Sequence, residues 1–359
     1  MSFPRLSERN ALPAVAHDET VQLWRVRAAA SKATAMRYDV LVIGNDEAAF
    51  EILCAAGNAG QRALAVLPEQ RHSAWMIRQA LRRLVSEMLL DRSAARRILL
   101  LQCGTPRLLQ RLIASALTEE LSDHMQLLER MGVDVMLGEA RLQTRKSVVV
   151  TSGIDCRRTT VTADNLVIGT GIRRTAMHRP LGLLPFHRPE SLLCGSQMPK
   201  TLCLLDGDGL GSGLAALFSL FGVNTRLLAR DDRSCAFLEL AHAAGVTICH
   251  HPSELGLSGD SPFSSLTADV VDCRRAVGFT EHLGLSDIGI EPDEHGQLWC
   301  AGNLETWCEG VFGIGDVVGF SSDISQHPSE QANRILNRML HRIPRPHFLS
   351  TRIGAFASV

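Results

Sequence analysis

The stretch Tyr38-Asp-Val-Leu-Val-Ile-Gly44-Asn-Asp46-Glu-Ala-Ala49 decides how this chain folds. An apolar run followed by a glycine and small residues is typical of a buried parallel strand that turns into a helix. The dinucleotide-binding form of this turn is G-x-G-x-x-G/A, with a pyrophosphate at the helix N-terminus. Gly44 and Ala49 fit the first and third places, whereas Asp46 stands in the second. The sequence predicts a dinucleotide fold with a carboxylate facing the diphosphate.

The next predicted strand is Ala63-Leu-Ala-Val-Leu67. In dinucleotide folds an Asp or Glu at the end of this strand binds the ribose hydroxyl. Leu67 stands at that end and offers no such contact. Because Asp46 and Leu67 each remove one element of recognition, we expect the first fold to bind its dinucleotide weakly.

A second copy of the pattern begins with Thr201-Leu-Cys-Leu-Leu and continues through a Gly-rich turn into a helical run. Two registers fit this turn. One places two glycines first, and its three key residues are Gly207, Gly209 and Ser212. The other keeps the helix length of the first fold, and its three key residues are Asp206, Asp208 and Gly211. Two such units in one chain predict two dinucleotide folds.

Charges around the second turn bear on its ligand. An Asp lies near the phosphate position in either register, and Arg230 follows the next strand, where it would attract a 2′-phosphate. We therefore expect poor dinucleotide binding that favours the phosphorylated form. The alternative is a Gly-rich strand-to-helix turn that binds nothing.

Two further segments indicate a family. Ala163–Arg174 contains a strand ending in Gly169-Thr170-Gly171, and Glu309–Phe320 contains a strand ending in Gly315-Asp316. In this order, interleaved with two dinucleotide folds, they resemble the two-dinucleotide-fold flavoprotein reductases. The run from Leu283 to Phe320 sharpens the resemblance to the soluble pyridine nucleotide transhydrogenases, which are relatives of dihydrolipoamide dehydrogenase.

The resemblance implies an α/β protein with two Rossmann-like domains, the second inserted into the first. The expected boundaries are an N-terminal extension at 1–36, expected to be disordered, an FAD-type domain at 37–177 and 281–343, an NAD(P)-type domain at 178–280, and a tail at 344–359 that is a remnant of the family's interface domain. The implied cofactors are FAD, expected to bind weakly, and NAD(P).

The resemblance also assigns residues. Asp316 would accept a hydrogen bond from the flavin ribityl chain, Gly315 would allow close backbone approach, and Thr170 and Gly171 would line the pyrophosphate. A helix N-cap is the alternative role for Asp316. The expected FAD-side residues are Gly44, Asp46, Ala49, Thr170, Gly171, Gly315 and Asp316. The expected NAD(P)-side residues are Gly207, Gly209, Gly211 and Arg230.

The catalytic loop of that family has no counterpart in the sequence. Between Leu67 and Gln79 such reductases carry a longer Gly-rich loop with a Cys and a Lys, and Gln79 stands in the place of the Lys. None of the ten cysteines are spaced C-x-x-C or C-x₄-C, which argues against a dithiol centre and a zinc site. No catalytic residue and no metal ligand can be assigned.

Two functional hypotheses remain. One is an FAD-dependent oxidoreductase that passes hydride between NADPH and NAD⁺ through the flavin. The other is a non-catalytic descendant, either a pseudoenzyme or a truncated remnant, that keeps the double fold as a binding or interaction protein. A net charge of −1 gives no reason to propose nucleic acid or a membrane surface.

Location and assembly follow from the two ends of the chain. Residues 1–36 lack the apolar core of a signal peptide, which favours a cytoplasmic protein. The sequence stops at Val359, where the resemblance places the first strand of an interface domain. A family-type homodimer is therefore not expected.

Overall fold

The computed structural model describes residues 37–68, 73–90, 106–153, 155–174, 186–187, 189, 192, 197–206, 209–229, 235–251, 254, 269–274, 276–321 and 327–341. The extension at 1–36, the tail at 344–359, Gly207, Asp208 and Arg230 lie outside these residues.

The first sheet is built around a parallel core. Its strands are β1 (Arg37–Ile43), β2 (Ala63–Leu67), β3 (Asp134–Leu137), β4 (Glu139–Thr144), β5 (Ser147–Thr151) and β6 (Arg158–Ile168), joined later by β15 (Val311–Gly313). The order is β3-β2-β1-β6-β5-β4, and β15 pairs in parallel with the end of β6. β4 and β5 form an antiparallel extension. The carboxyl ends of β1, β6 and β15 therefore meet at one edge.

Helices cover this sheet because its central strands are apolar on both faces. Leu41 pairs in register with Leu64 on one side and Leu166 on the other, and all three are buried. Helix α1 (Glu47–Asn58) follows β1 and packs against α6 (Pro328–His341), so the end of the described chain closes the first fold.

All pairings among the described strands of the second sheet are parallel. Its strands are β8 (Phe186–His187), β9 (Thr201–Leu205), β10 (Asn224–Leu228), β11 (Thr247–Cys249) and β12 (Asp269–Asp272), in the order β11-β10-β9-β12-β8. Helices α4 (Leu210–Leu220) and α5 (Cys235–Ala243) connect its strands. These two sheets confirm the predicted α/β class with two dinucleotide folds.

Short pairings complete the structure. β7 (Ile172–Arg174) runs antiparallel to β13 (Ala276–Gly278), and β14 (Leu298–Cys300) pairs in parallel with β16 (Val318–Ser321). Short 3₁₀ turns lie at Leu285–Ile288 and Gly315–Val317.

Two helices from the early part of the chain enter the second core. α2 (Ala74–Leu90) and α3 (Pro106–Arg130) contribute buried residues such as Leu81, Val85 and Leu117 to the apolar cluster that surrounds the second sheet. Their sequence lies within the predicted FAD-type segment 37–177, whose boundaries stay a prediction. None of the described helices is long and apolar enough to span a bilayer.

Candidate dinucleotide sites

Gly44 is the first residue after β1, and no other residue type fits its position. Its φ is +117°, and a Cβ there would lie 2.1 Å from the carbonyl oxygen of Gly169. The Gly44 amide donates to the Val66 carbonyl oxygen at 3.0 Å. The turns after β1 and β6 are therefore in backbone contact, as a shared ligand site at the end of a parallel sheet requires.

Ala49 supplies the close packing that the third place of the fingerprint demands. A Cβ added to Gly169 would lie 2.6 Å from the Ala49 Cβ. Helix α1 thus lies directly on the end of β6, and only small residues permit this approach.

Asp46 lies where the three turns converge. Its side chain is 4% exposed, and its Oδ2 accepts a hydrogen bond from the Asp316 amide at 3.2 Å. A Cβ at Gly315 would lie 2.5 Å from Asp46 Oδ2, and one at Gly171 would lie 3.3 Å from Asp46 Cγ. We call Gly44, Asp46, Gly171, Gly315 and Asp316 the first cradle; the carboxyl of Asp46 occupies its centre.

The electrostatics of the first cradle make Asp46 easier to protonate than an exposed Asp. Burial raises the pKa of this carboxyl to about 6, and the negative charge of Asp316 adds to the rise. Backbone hydrogen bonds and the charge of Arg78 act in the opposite direction. The pKa of the neighbouring Glu47 is also raised, chiefly by burial.

One side chain of the first cradle's wall was not anticipated from the sequence. Gln331 of α6 is buried, and its Oε1 accepts a hydrogen bond from the Gly315 amide at 2.8 Å. The only sequence signal was its place one turn into the closing helix, which does not specify a contact with the Gly-Asp turn.

The second turn, formed by Asp206 and Gly209–Ser212, resolves the open register. The Asp206 amide donates to the Leu228 carbonyl oxygen, just as Gly44 donates to Val66 in the first fold. Asp206 therefore occupies the place of the first glycine, and Gly211 occupies the third. Gly209, at φ +92°, is the N-cap residue of α4.

The Asp206 carboxylate binds the N-terminus of its own helix. Oδ1 accepts from the amides of Gly209 and Gly211 at 3.1 and 3.0 Å, and Oδ2 accepts from the Ser212 amide at 3.0 Å and from the Ser212 hydroxyl. These amides are the groups that would bind a pyrophosphate in a dinucleotide fold.

Apolar packing covers the second turn. A Cβ at Gly209 would lie 3.0 Å from the Phe237 ring, and a Cβ at Gly213 would lie 3.2 Å from the Leu81 Cβ. Asp206 itself is 3% exposed. Helix α4 is thus enclosed by α5 and by α2.

Comparison with known proteins decides the family. Residues 38–335 match the pyridine nucleotide-disulphide oxidoreductase family. The chain belongs to this family. The resemblance inferred from the Gly-Thr-Gly and Gly-Asp turns is thereby confirmed.

Relatives within the family include soluble pyridine nucleotide transhydrogenases. The protein from Aliivibrio fischeri is 27% identical over 54% of this chain and 45% of its own length. The protein from Chromohalobacter salexigens is 27% identical over 60% and 50%, and that from Hahella chejuensis is 26% identical over 80% and 67%. The chain spans about half the length of the first two relatives.

Solved structures of flavoprotein reductases share the fold. The Cu(II) complex of the HOCl-induced flavoprotein disulfide reductase RclA from Escherichia coli superposes with a TM-score of 0.57 at 19% identity, covering 85% of this chain and 71% of RclA. LpdA from Mycobacterium tuberculosis gives 0.56 at 15% identity, covering 86% and 73%.

The two cofactors of this family fit the two turns unequally. At the first cradle, the Thr170 hydroxyl is buried and has no hydrogen-bond partner among the described residues, and the Asp46 side chain lies against Gly171 and Gly315, which carry no side chains. These features fit the diphosphate of FAD, provided that the Asp46 side chain moves out of the first cradle. At the second turn the amides already bind Asp206, so the arrangement does not fit the pyrophosphate of NAD(P).

Helix α2 begins beside the first cradle. α2 begins directly after Ser73, whose hydroxyl accepts from the Met76 amide and donates to the Asn45 carbonyl oxygen. This N-cap fixes the start of α2 beside the turn after β1, and the connection from Leu67 is short, as predicted.

The described cysteines form no disulfide bond. The described cysteines Cys54, Cys156, Cys203, Cys249, Cys273, Cys300 and Cys308 are all free thiols. Within the described ranges no group of His, Cys, Asp and Glu is arranged to hold a metal ion.

Proposed function

We propose that this chain is an FAD-dependent pyridine nucleotide oxidoreductase of the transhydrogenase type, which passes hydride between NADPH and NAD⁺. The observation that carries the proposal is the first cradle, where glycine turns from three strands and an unpaired Thr170 hydroxyl converge within a chain that matches the family over residues 38–335. The non-catalytic alternative is not favoured by this match.

In this proposal the chain's own groups bind and orient the cofactor. Gly171 and Gly315 let the backbone approach the diphosphate, Thr170 donates its hydroxyl to it, and the exposed Asp316 carboxylate accepts from the ribityl chain. FAD supplies the redox chemistry when bound. Leu67 leaves the adenosine ribose without a carboxylate partner, so affinity rests mainly on the first cradle.

The pyridine nucleotide meets an obstacle at the second turn. A nucleotide pyrophosphate would have to displace the Asp206 carboxylate from three backbone amides. We therefore propose weak NAD(P) binding there and assign no chemical step to that turn. Location in the cytoplasm, supported by relatives named as soluble enzymes, belongs to the same proposal.

A flavin spectrum tests the proposal. The full chain is purified, dialysed against FAD at pH 6, passed through a desalting column and scanned in the visible range. We expect a bound flavin spectrum and its bleaching by NADPH under anaerobic conditions. Protein that is folded by circular dichroism and holds no flavin at any pH would refute the proposed function.

A further inference from the structure

The carboxyl of Asp46 takes the position and the bonding of a phosphate. It lies between the turns after β1, β6 and β15, close against Gly171 and Gly315, and it accepts from the Asp316 amide. A backbone amide at the end of a parallel strand is a usual donor to a cofactor phosphate. The first cradle is thus filled by a group of the same charge sign as the ligand that the family implies.

We propose that Asp46 determines when the first cradle accepts a dinucleotide: the diphosphate of FAD binds only when this carboxyl is neutral, so that one proton is taken up with each FAD. The inference rests on the proposed function. The proton comes from solvent and ends on a carboxyl oxygen of Asp46, and no bond of the ligand is made or broken.

The charges that face Asp46 come from three elements. Asp316, in the turn after β15, repels its negative form, and Arg78 of α2 attracts it. Glu47 of α1 lies next to it in the chain and is exposed at the surface. From β6 the contact is Gly171, and α6 contributes the uncharged Gln331 to the neighbouring Gly315 amide. A diphosphate would add two negative charges to Asp46 and Asp316, with Arg78 as the opposing cation.

Protonation of Asp46 removes two obstacles to the diphosphate: charge repulsion and the cost of moving a buried charge. A protonated carboxyl no longer repels the diphosphate, and it can rotate away from the Asp316 amide without leaving a buried charge behind. The diphosphate of FAD is a diester with constant charge over this range, so a pH dependence of binding reports on the protein. With the pKa of Asp46 at about 6, the neutral fraction falls by about 100-fold between pH 5 and pH 8.

The test measures FAD affinity and proton uptake together. Apoprotein is titrated with FAD by fluorescence quenching between pH 5 and pH 8, and by calorimetry in buffers of different ionisation enthalpy. We expect affinity to fall by about 100-fold from pH 5 to pH 8, with about one proton taken up per FAD at pH 8. Circular dichroism at each pH checks that the protein stays folded.

Three variants complete the design. Asp46→Asn keeps the shape of the side chain without its charge, and Asp46→Gly removes the side chain from the first cradle. For each variant, the FAD affinity should not change with pH. Glu47→Gln is the matched control, because it removes the adjacent carboxylate on the same helix, and it should keep the wild-type slope.

The outcomes separate the two proposals. If wild-type affinity does not depend on pH, or if Asp46→Asn keeps the slope, the inference about Asp46 is wrong and the flavin function stands. If neither wild type nor Asp46→Gly binds FAD at any pH while both are folded, the proposed function is wrong as well.

Discussion

Each of the two dinucleotide folds of this chain buries a carboxylate in its strand-to-helix turn, at different places of the fingerprint and with different bonding. In the second turn, Asp206 accepts from three backbone amides and a hydroxyl, and its charge is well solvated by the helix N-terminus. In the first cradle, Asp46 accepts from the backbone amides of Asp316 and Glu47, and it faces the negative charge of Asp316. The second carboxylate is a structural part of its fold, whereas the first is a group held at an electrostatic cost.

The same chemical change should therefore have opposite effects in the two folds. Asp206→Asn places an NH₂ group against amides that need an acceptor, and leaves buried donors unpaired. We expect a loss of about 3–5 kcal/mol in the free energy of unfolding, measured with urea at pH 8.

Asp287→Asn is the control for that variant, because Asp287 makes an exposed ion pair with Arg141. Its loss should stay below about 1 kcal/mol. An Asp206→Asn protein as stable as this control would show that the carboxylate is not a structural part of the second turn.

Asp46→Asn should stabilise the protein at pH 8. Because burial raises the folded-state pKa of Asp46 to about 6, its contribution to stability is full below its unfolded pKa and is lost as the pH rises through 6. Removing the charge should add up to about 3 kcal/mol at pH 8 and little at pH 4. Urea unfolding at both pH values measures the change in the free energy of unfolding. An equal change at pH 4 and pH 8 would show that the buried charge of Asp46 is not its cause.

Glycine at 315 sharpens the comparison further. Gly315→Ala places a Cβ 2.5 Å from Asp46 Oδ2 at a φ of +74°. Gly60→Ala is a matched control, because its φ is +70° and nothing lies within 4 Å of the added Cβ. We expect Gly60→Ala to lose about 1 kcal/mol from backbone strain and Gly315→Ala to lose about 1–2 kcal/mol more from the contact.

A double-mutant cycle tests whether the contact with Asp46 causes the larger loss of stability in Gly315→Ala. If the contact with Asp46 causes it, Gly315→Ala in an Asp46→Gly background should lose no more than Gly60→Ala does. An excess that persists without the Asp46 side chain would place the clash elsewhere.

The smallest expected effect concerns the short connection beside the first cradle. Ser73→Ala removes the N-cap of α2 and its bond to the Asn45 carbonyl oxygen. We expect a loss of about 1 kcal/mol in thermal or urea unfolding. Ser115→Ala, whose hydroxyl bonds only the exposed Glu119, is the control and should change stability by less than about 0.5 kcal/mol.

Much of the fold was predictable because its signals are local. The apolar run before Gly44 and the strand at Ala63–Leu67 fall where the sequence places them, since a central parallel strand is apolar on both faces. Gly44, Gly171 and Gly315 lie close together because each stands in a turn that follows a strand of one parallel sheet.

The direction of side chains was less predictable. The sequence put Asp206 at the phosphate position and left two registers open, but it did not show that the carboxylate folds back onto Gly209 and Gly211. That outcome depends on how far the turn lets the side chain reach, which spacing alone does not specify. The bond from the Gly315 amide to Gln331 joins segments with no shared motif, so nothing in the sequence pointed to it.

The entry of α2 and α3 into the second core has a consequence for how the chain folds. Leu81 and Leu117 lie within the first third of the sequence, yet they pack with Leu204, Leu214 and Val271. During synthesis at the ribosome, α2 and α3 cannot pack on the second sheet until its strands have been translated. Contacts between residues so far apart in sequence form late in folding. The first fold likewise cannot complete its packing until α6 has been translated, because α1 packs against α6. During that interval the leucines of α2 and α3 lack their partners in the second sheet.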